Sequence, residues 1–227
     1  MTVPPFIPQP VEIRRNVTTE RYPVMVGFVR RVSLLHFLSV LFVAGVAALP
    51  SPWVDPSVAG WATLGLLVAL SLARTLARGR RVEVVVSGVI LVAFLVALGS
   101  AVRVWIEDGW PLESLLVGVA CAVVYVTACG RDLSYVGMLV LSILASSGLI
   151  VAGGIWLRTP GLTLSVALSL NALHLIFYVY DLASLLSRRR LGEEIGAVAD
   201  LYRDVLNLFG YLIRVAHHWR RHRIWLK

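Results

Sequence analysis

Apolar residues run along this chain in blocks of helix-spanning length, broken by arginine, proline and glycine. An α-helix needs about 20 apolar residues to cross the hydrocarbon core of a bilayer. Blocks of that kind occupy 32–49, 57–77, 82–104, 111–129, 133–157 and 161–186. Pro50 and Pro52 end the first, Arg78-Gly79-Arg80-Arg81 the second, and Ser187-Arg188-Arg189-Arg190 the sixth. Pro111 suits a first helical turn and Asp132 an N-cap. A seventh block, 197–217, keeps the helical period but carries Asp200, Arg203, Asp204, Asn207, Tyr211 and Arg214. A helix this polar must be surrounded by the others and not by lipid. The pattern predicts an all-α, polytopic membrane protein of about seven transmembrane helices, the last polar and central. It divides the chain into a tail (1–31), a seven-helix domain (32–217) and a basic C-terminal tail (218–227). No cleavable signal is expected. Pro4, Pro5, Pro8, Pro10 and Pro23 predict an extended, flexible N-terminal tail, with Val26 to Phe28 able to start a short surface helix.

Polar residues inside these blocks are not scattered. In the sixth, Asn171, His174, Tyr178 and Asp181 follow i, i+3, i+7, i+10 and share one face. In the seventh, Asp200, Arg203, Asp204, Asn207, Tyr211 and Arg214 do the same. The two stripes are expected to face each other across a narrow buried channel. A carboxylate in hydrocarbon costs about 2.5–3.5 kcal/mol on insertion scales, so Asp181 and Asp204 are functional candidates by default. If they meet, two carboxylates cannot both ionise cheaply and they would share a proton. Their ionised form would attract a cation, and hard oxygen ligands suit Ca²⁺. The competing reading is a local ion-pair cluster, because Arg203 adjoins Asp204 and lies one turn from Asp200.

Composition narrows the class. The chain is 58% hydrophobic and 15% charged, which leaves too little polar surface for a soluble domain of this length. The net charge of +8 is almost all arginine, spread over loops, which favours orientation and contact with anionic lipid over nucleic-acid binding. Arginine-rich loops place the N-terminus and the sixth–seventh connection in the cytoplasm; the basic C-terminal tail breaks this pattern, so the seventh helix either crosses within a protein-lined core or is re-entrant and returns to the cytoplasm. Cys121 and Cys129 are separated by about 12 Å of helix rise, too far for a disulfide. His174 and His36 read as hydrogen-bonded interior histidines and not as metal ligands. Glu83 and Glu113 sit near helix starts and read as interfacial. Ser146, Ser147, Gly148, Gly153 and Gly154 read as close-packing residues.

Three segments carry a likeness. GRDLSYVGML (130–139) precedes and opens the fifth block, FYVYDLASLL (177–186) ends the sixth, and ADLYRDVLNLFGYLIRVA (199–216) forms the seventh. Together with the arginine-led first block, FVRRVSLLHFLSVLF (28–42), they resemble the transmembrane Bax-inhibitor-motif family. The resemblance implies a seven-helix fold with a central last helix and a pH-sensitive Ca²⁺ leak controlled by an aspartate dyad. It places the dyad, as pH sensor and cation site, on Asp181 and Asp204. It also implies an arginine near the end of the second block that pairs with the dyad; Arg74, Arg78 and Arg80 are the candidates. The chain departs from the family where Asp200 and Arg203 stand just before the second aspartate, and Arg203 paired with Asp204 would weaken or shift the proton switch.

The expected ligands are membrane lipids, protons and Ca²⁺ as the transported ion, with no other cofactor and no nucleic acid. An intramembrane aspartyl protease is disfavoured: it needs a Gly-x-Gly-Asp on a later span, and the nearest match here, Gly130-Arg131-Asp132, comes earlier and in a loop. The chain is not expected to be an enzyme. The alternative to a channel is a non-conducting scaffold or stress-response regulator that works through protein partners. Arginine-rich usage with one lysine suits a prokaryotic plasma membrane.

Overall fold

The computed structural model describes residues 13–49, 53–77 and 81–222, with the side chains of 56, 77, 81, 205–215, 217, 218 and 222 outside that description. The described residues are helical, in the order α1 (Tyr22–Ala47), α2 (Pro56–Ala77), α3 (Arg81–Glu107), α4 (Glu113–Ala128), α5 (Tyr135–Trp156), α6 (Gly161–Arg188) and α7 (Glu194–His222). Five of them, α1, α2, α3, α5 and α6, are long and apolar enough to cross a membrane, which marks an integral membrane protein. The fourth, at 16 residues, is apolar but shorter.

The molecule is apolar outside as well as inside. Leu38, Val68, Val89, Val92, Leu144 and Leu173 point outward, while Ser33, His36, Glu83, Asn171, Asp181, Asp200, Arg203 and Asp204 are buried. Hydrocarbon solvates the first set, and the protein interior must satisfy the second. Five exposed tryptophans, Trp53, Trp61, Trp105, Trp110 and Trp156, lie in or beside the α1–α2, α3–α4 and α5–α6 connections. Amphipathic indoles favour the headgroup level, so these positions suit a membrane interface.

Helix ends follow local chemistry. Ser134, and not the expected Asp132, caps α5: its Oγ accepts the Gly137 amide at 3.1 Å. Arg30 of α1 donates from Nε to the Val126 carbonyl at 2.9 Å and from its guanidinium to Gly130 O, satisfying terminal carbonyls of α4. Asp55, ahead of α2, accepts the Ser57 amide at 2.8 Å, and its hydrogen bonds to Ser57 hold its carboxyl below the usual carboxylate range. α1 starts at Tyr22, ten residues before the expected 32, because Pro23 fits a first turn and does not extend the chain. The segment before it is also placed. The amides of Ile13 and Val17 donate to Ser187 O (3.1 Å) and Arg189 O (3.0 Å), and Val17 is fully buried, so this part of the expected flexible tail is docked beneath the end of α6.

The core is built from Phe28, Val29, Val32, Leu70, Met138, Leu175, Leu182 and Leu185. α3 approaches α1 closely at Gly99, where a Cβ would stand 2.6 Å from Val46 Cβ and 2.9 Å from the Val43 carbonyl. Gly99→Ala must therefore push backbone apart and is expected to lower stability by about 1–3 kcal/mol. Gly148→Ala, with nothing within 4 Å of the added methyl, gains helix propensity of up to about 1 kcal/mol. Thermal unfolding of the two variants in detergent, with opposite signs expected, checks this.

Candidate functional site

The sixth helix ends because Arg189 takes an extended backbone (φ −130°, ψ 156°). That break separates two neighbouring arginines. Arg188 stays on the helix face of Asp181 and Ser184, at i+7 and i+4 from them, while Arg189 turns toward α3 and the first turns of α7. Each collects its own pair of acids.

Arg188 bridges the two aspartates. Its Nη2 donates to Asp181 Oδ1 at 2.5 Å and its Nη1 to Asp204 Oδ2 at 2.6 Å. Ser184 Oγ donates to the Asp181 backbone carbonyl at 2.8 Å and lies 3.1 Å from Asp181 Oδ1. The two carboxyl groups are in direct contact with one another. Asp181 Oδ2 is buried and finds no donor. The dyad expected from the sequence is thus brought together, and the arginine that pairs with it is Arg188.

Arg74 does not take that role. Its Nη1 lies 3.4 Å from Glu83 Oε1, its Nη2 lies 3.7 Å from Asp200 Oδ2, and the same nitrogen donates to the Arg188 carbonyl at 3.2 Å. α2 therefore ends too far along the ionic cluster to reach the dyad, and it caps the end of α6 instead. Arg78 and Arg80 lie outside the described residues.

Arg189 is the most buried cation, 1% exposed. It makes a bidentate pair with Asp200, Nε to Oδ2 and Nη2 to Oδ1, both 2.7 Å, and donates from Nη1 to Glu83 Oε1 at 3.1 Å. Burial works against its charge, but Asp200 and Glu83 outweigh that and hold it protonated above the ordinary arginine range. A Cβ on Gly196 would stand 2.5 Å from Arg189 Nη1, so α7 needs glycine there for the guanidinium to pass. Glu83 stands near a helix start as expected, yet it is 2% exposed, buried against Arg189 and Arg74 and not at an interface with solvent.

Arg203 links the two halves, with Nη2 2.9 Å from Asp200 Oδ1 and 3.6 Å from Asp204 Oδ1. The local ion-pair cluster and the dyad are therefore one network. It holds Arg74, Arg188, Arg189 and Arg203 against Glu83, Asp181, Asp200 and Asp204, formally balanced, with the more exposed Glu193 at its fringe (3.8 Å from Arg189). Ion-pair geometry of this quality is what offsets desolvation of buried charges.

One turn and more from Asp181, the rest of the α6 stripe is also inside. Asn171 and Tyr178 are buried, and Asn171 Nδ2 donates to Ser146 Oγ of α5 at 2.8 Å. Ser146 thus holds a polar partner and is not only a packing residue. Tyr178 stacks on His36 of α1, ring centroids 4.9 Å apart, with His174 at 6.2 Å from His36 and Tyr202 of α7 at 5.3 Å. Neither ring nitrogen of His36 has a hydrogen-bond partner, so His36 is not the hydrogen-bonded interior residue expected; His174 Nε2 also has none. The side chain of Asn207, another pore-lining candidate, lies outside the described residues, as do those of Tyr211 and Arg214. No group of three or more metal-type ligands occurs among the described residues.

Sequence reasoning missed Arg188, Arg189, Glu83 and His36 as members of these clusters. A signal for Arg188 was present, since Asp181, Ser184 and Arg188 continue the α6 stripe at i, i+3, i+7. Nothing local marks Arg189 or Glu83, which meet across 106 positions of sequence. No protein family, curated protein or solved structure matches the chain.

Removing one member of a buried pair strands the other, so Arg189→Gln is expected to cost about 3–5 kcal/mol. Glu107→Gln, which breaks the exposed i, i+4 pair with Arg103, is expected to cost less than about 1 kcal/mol. Thermal unfolding in the same detergent distinguishes them.

Proposed function

We propose that the chain is a pH-sensitive calcium leak channel of the Bax-inhibitor type. In this reading seven helices cross a prokaryotic plasma membrane, the N-terminus is cytoplasmic, and the polar last helix stands at the centre. The observation that carries the reading is the single guanidinium of Arg188 holding Asp181 and Asp204 together, on consecutive helices, inside an apolar bundle. The neighbours of α7, which are α1, α2, α3 and α6, favour a central position for it.

The chemistry follows from charge. The network is formally neutral with all four acids ionised. Asp181 Oδ2 has no donor, and a proton shared with the neighbouring Asp204 carboxyl would satisfy it. The protonated network carries one net positive charge, repels an approaching cation and keeps α6 and α7 tied. Loss of the proton as pH rises removes that excess charge. A divalent cation can then compete with Arg188 for the two carboxylates, whose oxygens suit Ca²⁺. Arg203, with Nη2 3.6 Å from Asp204 Oδ1, adds a second cation beside the pair.

Calcium flux into proteoliposomes, read with an entrapped dye between pH 5 and pH 8, tests this. Wild-type flux is expected to rise several-fold with pH. Asp181→Asn and Asp204→Asn should each flatten the profile, and Arg188→Gln should raise flux at the acidic end. No flux above empty liposomes at any pH, with folded protein, would sink the channel reading and leave regulation through protein partners in its place.

A further inference from the structure

The ionic network joins the end of α2 to the start of α3, through Arg74 and Glu83. At their other ends the same two helices leave a groove between them. It has a volume of about 390 Å³ and is lined by Gly60, Trp61 and Leu64 of α2 and by Ala101, Val104 and Trp105 of α3. Helical spacing builds it, since each set falls on one face at i, i+1, i+4 or i, i+3, i+4. A Cβ added at Gly60 would meet nothing within 4 Å, so the absent side chain leaves real space. Thr63 also lines the groove, but its hydroxyl donates to the Ala59 carbonyl of its own helix at 2.8 Å. The interior of the groove is therefore apolar, with one indole from each helix beside it.

The groove opens on the outer surface, where Trp61 is 76% and Trp105 43% exposed. From Trp61, the exposed Leu64, Val68 and Leu72 follow at i+3, i+7 and i+11. One apolar face thus continues from the groove along α2 for about 16 Å. All four residues belong to a stretch long and apolar enough to cross a membrane, 57–76. An empty groove forgoes dispersion contacts, and the solvent along such a face is hydrocarbon. A lipid chain supplies those contacts, and its headgroup then lies near the two indoles, which favour that level.

The charges beside the groove select the headgroup. Asp55 Oδ1 accepts the amide and the hydroxyl of Ser57, which also lines the groove. Asp55 is exposed, and no cation pairs with it among the described residues. Asp108 follows Val104 and Trp105 by one turn and is likewise exposed, its amide donating to the Val104 carbonyl at 2.9 Å. Arg103, the cation of this part of α3, is occupied by Glu107 at 2.8 Å and by the Leu49 carbonyl. Carboxylates and indoles beside an apolar slot attract an ammonium group, by charge and by cation–π contact, and repel an anionic one.

We propose that the α2–α3 groove holds one ammonium-headed phospholipid of the surrounding membrane, with an acyl chain in the groove and the ammonium group beside Asp55 and the two indoles. The site is at the far end of these helices from the ionic network and does not depend on calcium conduction.

Native mass spectrometry of the full chain, released from nanodiscs of equal phosphatidylethanolamine and phosphatidylglycerol, tests this. Wild type is expected to retain one phosphatidylethanolamine in several-fold excess over phosphatidylglycerol. Gly60→Leu fills the groove and should abolish the retained lipid without lowering the thermal unfolding temperature. Asp55→Asn keeps an acceptor for the Ser57 amide but removes the charge, and should bring the ratio of the two lipids to unity. Equal retention of both by wild type would overturn the proposal and leave ordinary boundary lipid. A preferred lipid that survives Gly60→Leu would place it elsewhere, and a preference that survives Asp55→Asn would overturn the headgroup assignment.

Discussion

A bundle whose outer surface is solvated by hydrocarbon has one place for charge, and every charge placed there must meet its opposite. The adjacent arginines at the end of α6 meet that constraint in this chain. Arg188 remains on the helix and reaches Asp181 and Asp204, while Arg189, one residue on, leaves the helix and reaches Asp200 and Glu83. The backbone break between them lets one short segment serve two acid clusters on different sides.

The position of α7 depends on this arrangement. Its first turns present Asp200, Arg203 and Asp204, all buried, to cations from α2 and α6. Gly196 lets Arg189 lie against the helix, and Arg31 of α1 pairs with Glu194 at its start, 2.9 Å away. A helix this polar could not be held by apolar packing alone. Buried ion pairs add little net stability against an apolar alternative, yet breaking one is costly, so the network fixes where α7 sits more than it deepens the fold. Under the proposed function the same balance makes the site responsive, because a single proton or divalent cation would change a balanced set of charges.

Much of this was legible in the sequence. The apolar blocks gave the helices, and the i, i+3, i+7, i+10 stripe on α6 put Asn171, His174, Tyr178 and Asp181 inside, because helical period is a local property. The convergence of Asp181 and Asp204 followed from two polar faces on consecutive helices. The arginine that pairs with them did not follow: Arg188 sat in a run of three that looked like a cytoplasmic loop, and only the end of the helix at 188 shows which of the three points inward. Glu83 and Arg189 were hidden for another reason, since their contact spans 106 positions of sequence and no spacing rule connects them. His36 was hidden because a lone histidine on an apolar helix has many uses, and its ring partners come from α6 and α7.

The central claim is that one proton is held between Asp181 and Asp204 beside the Arg188 guanidinium. Infrared difference spectroscopy of the full chain in bilayers measures it directly, through the carbonyl stretch of a protonated carboxyl group. The account predicts such a band near neutral pH in wild type, lost or displaced by either Asp181→Asn or Asp204→Asn because the proton belongs to the pair. A wild-type spectrum with only ionised carboxylates across the same range would contradict it, and the network would then be a fixed set of ion pairs that orders α7.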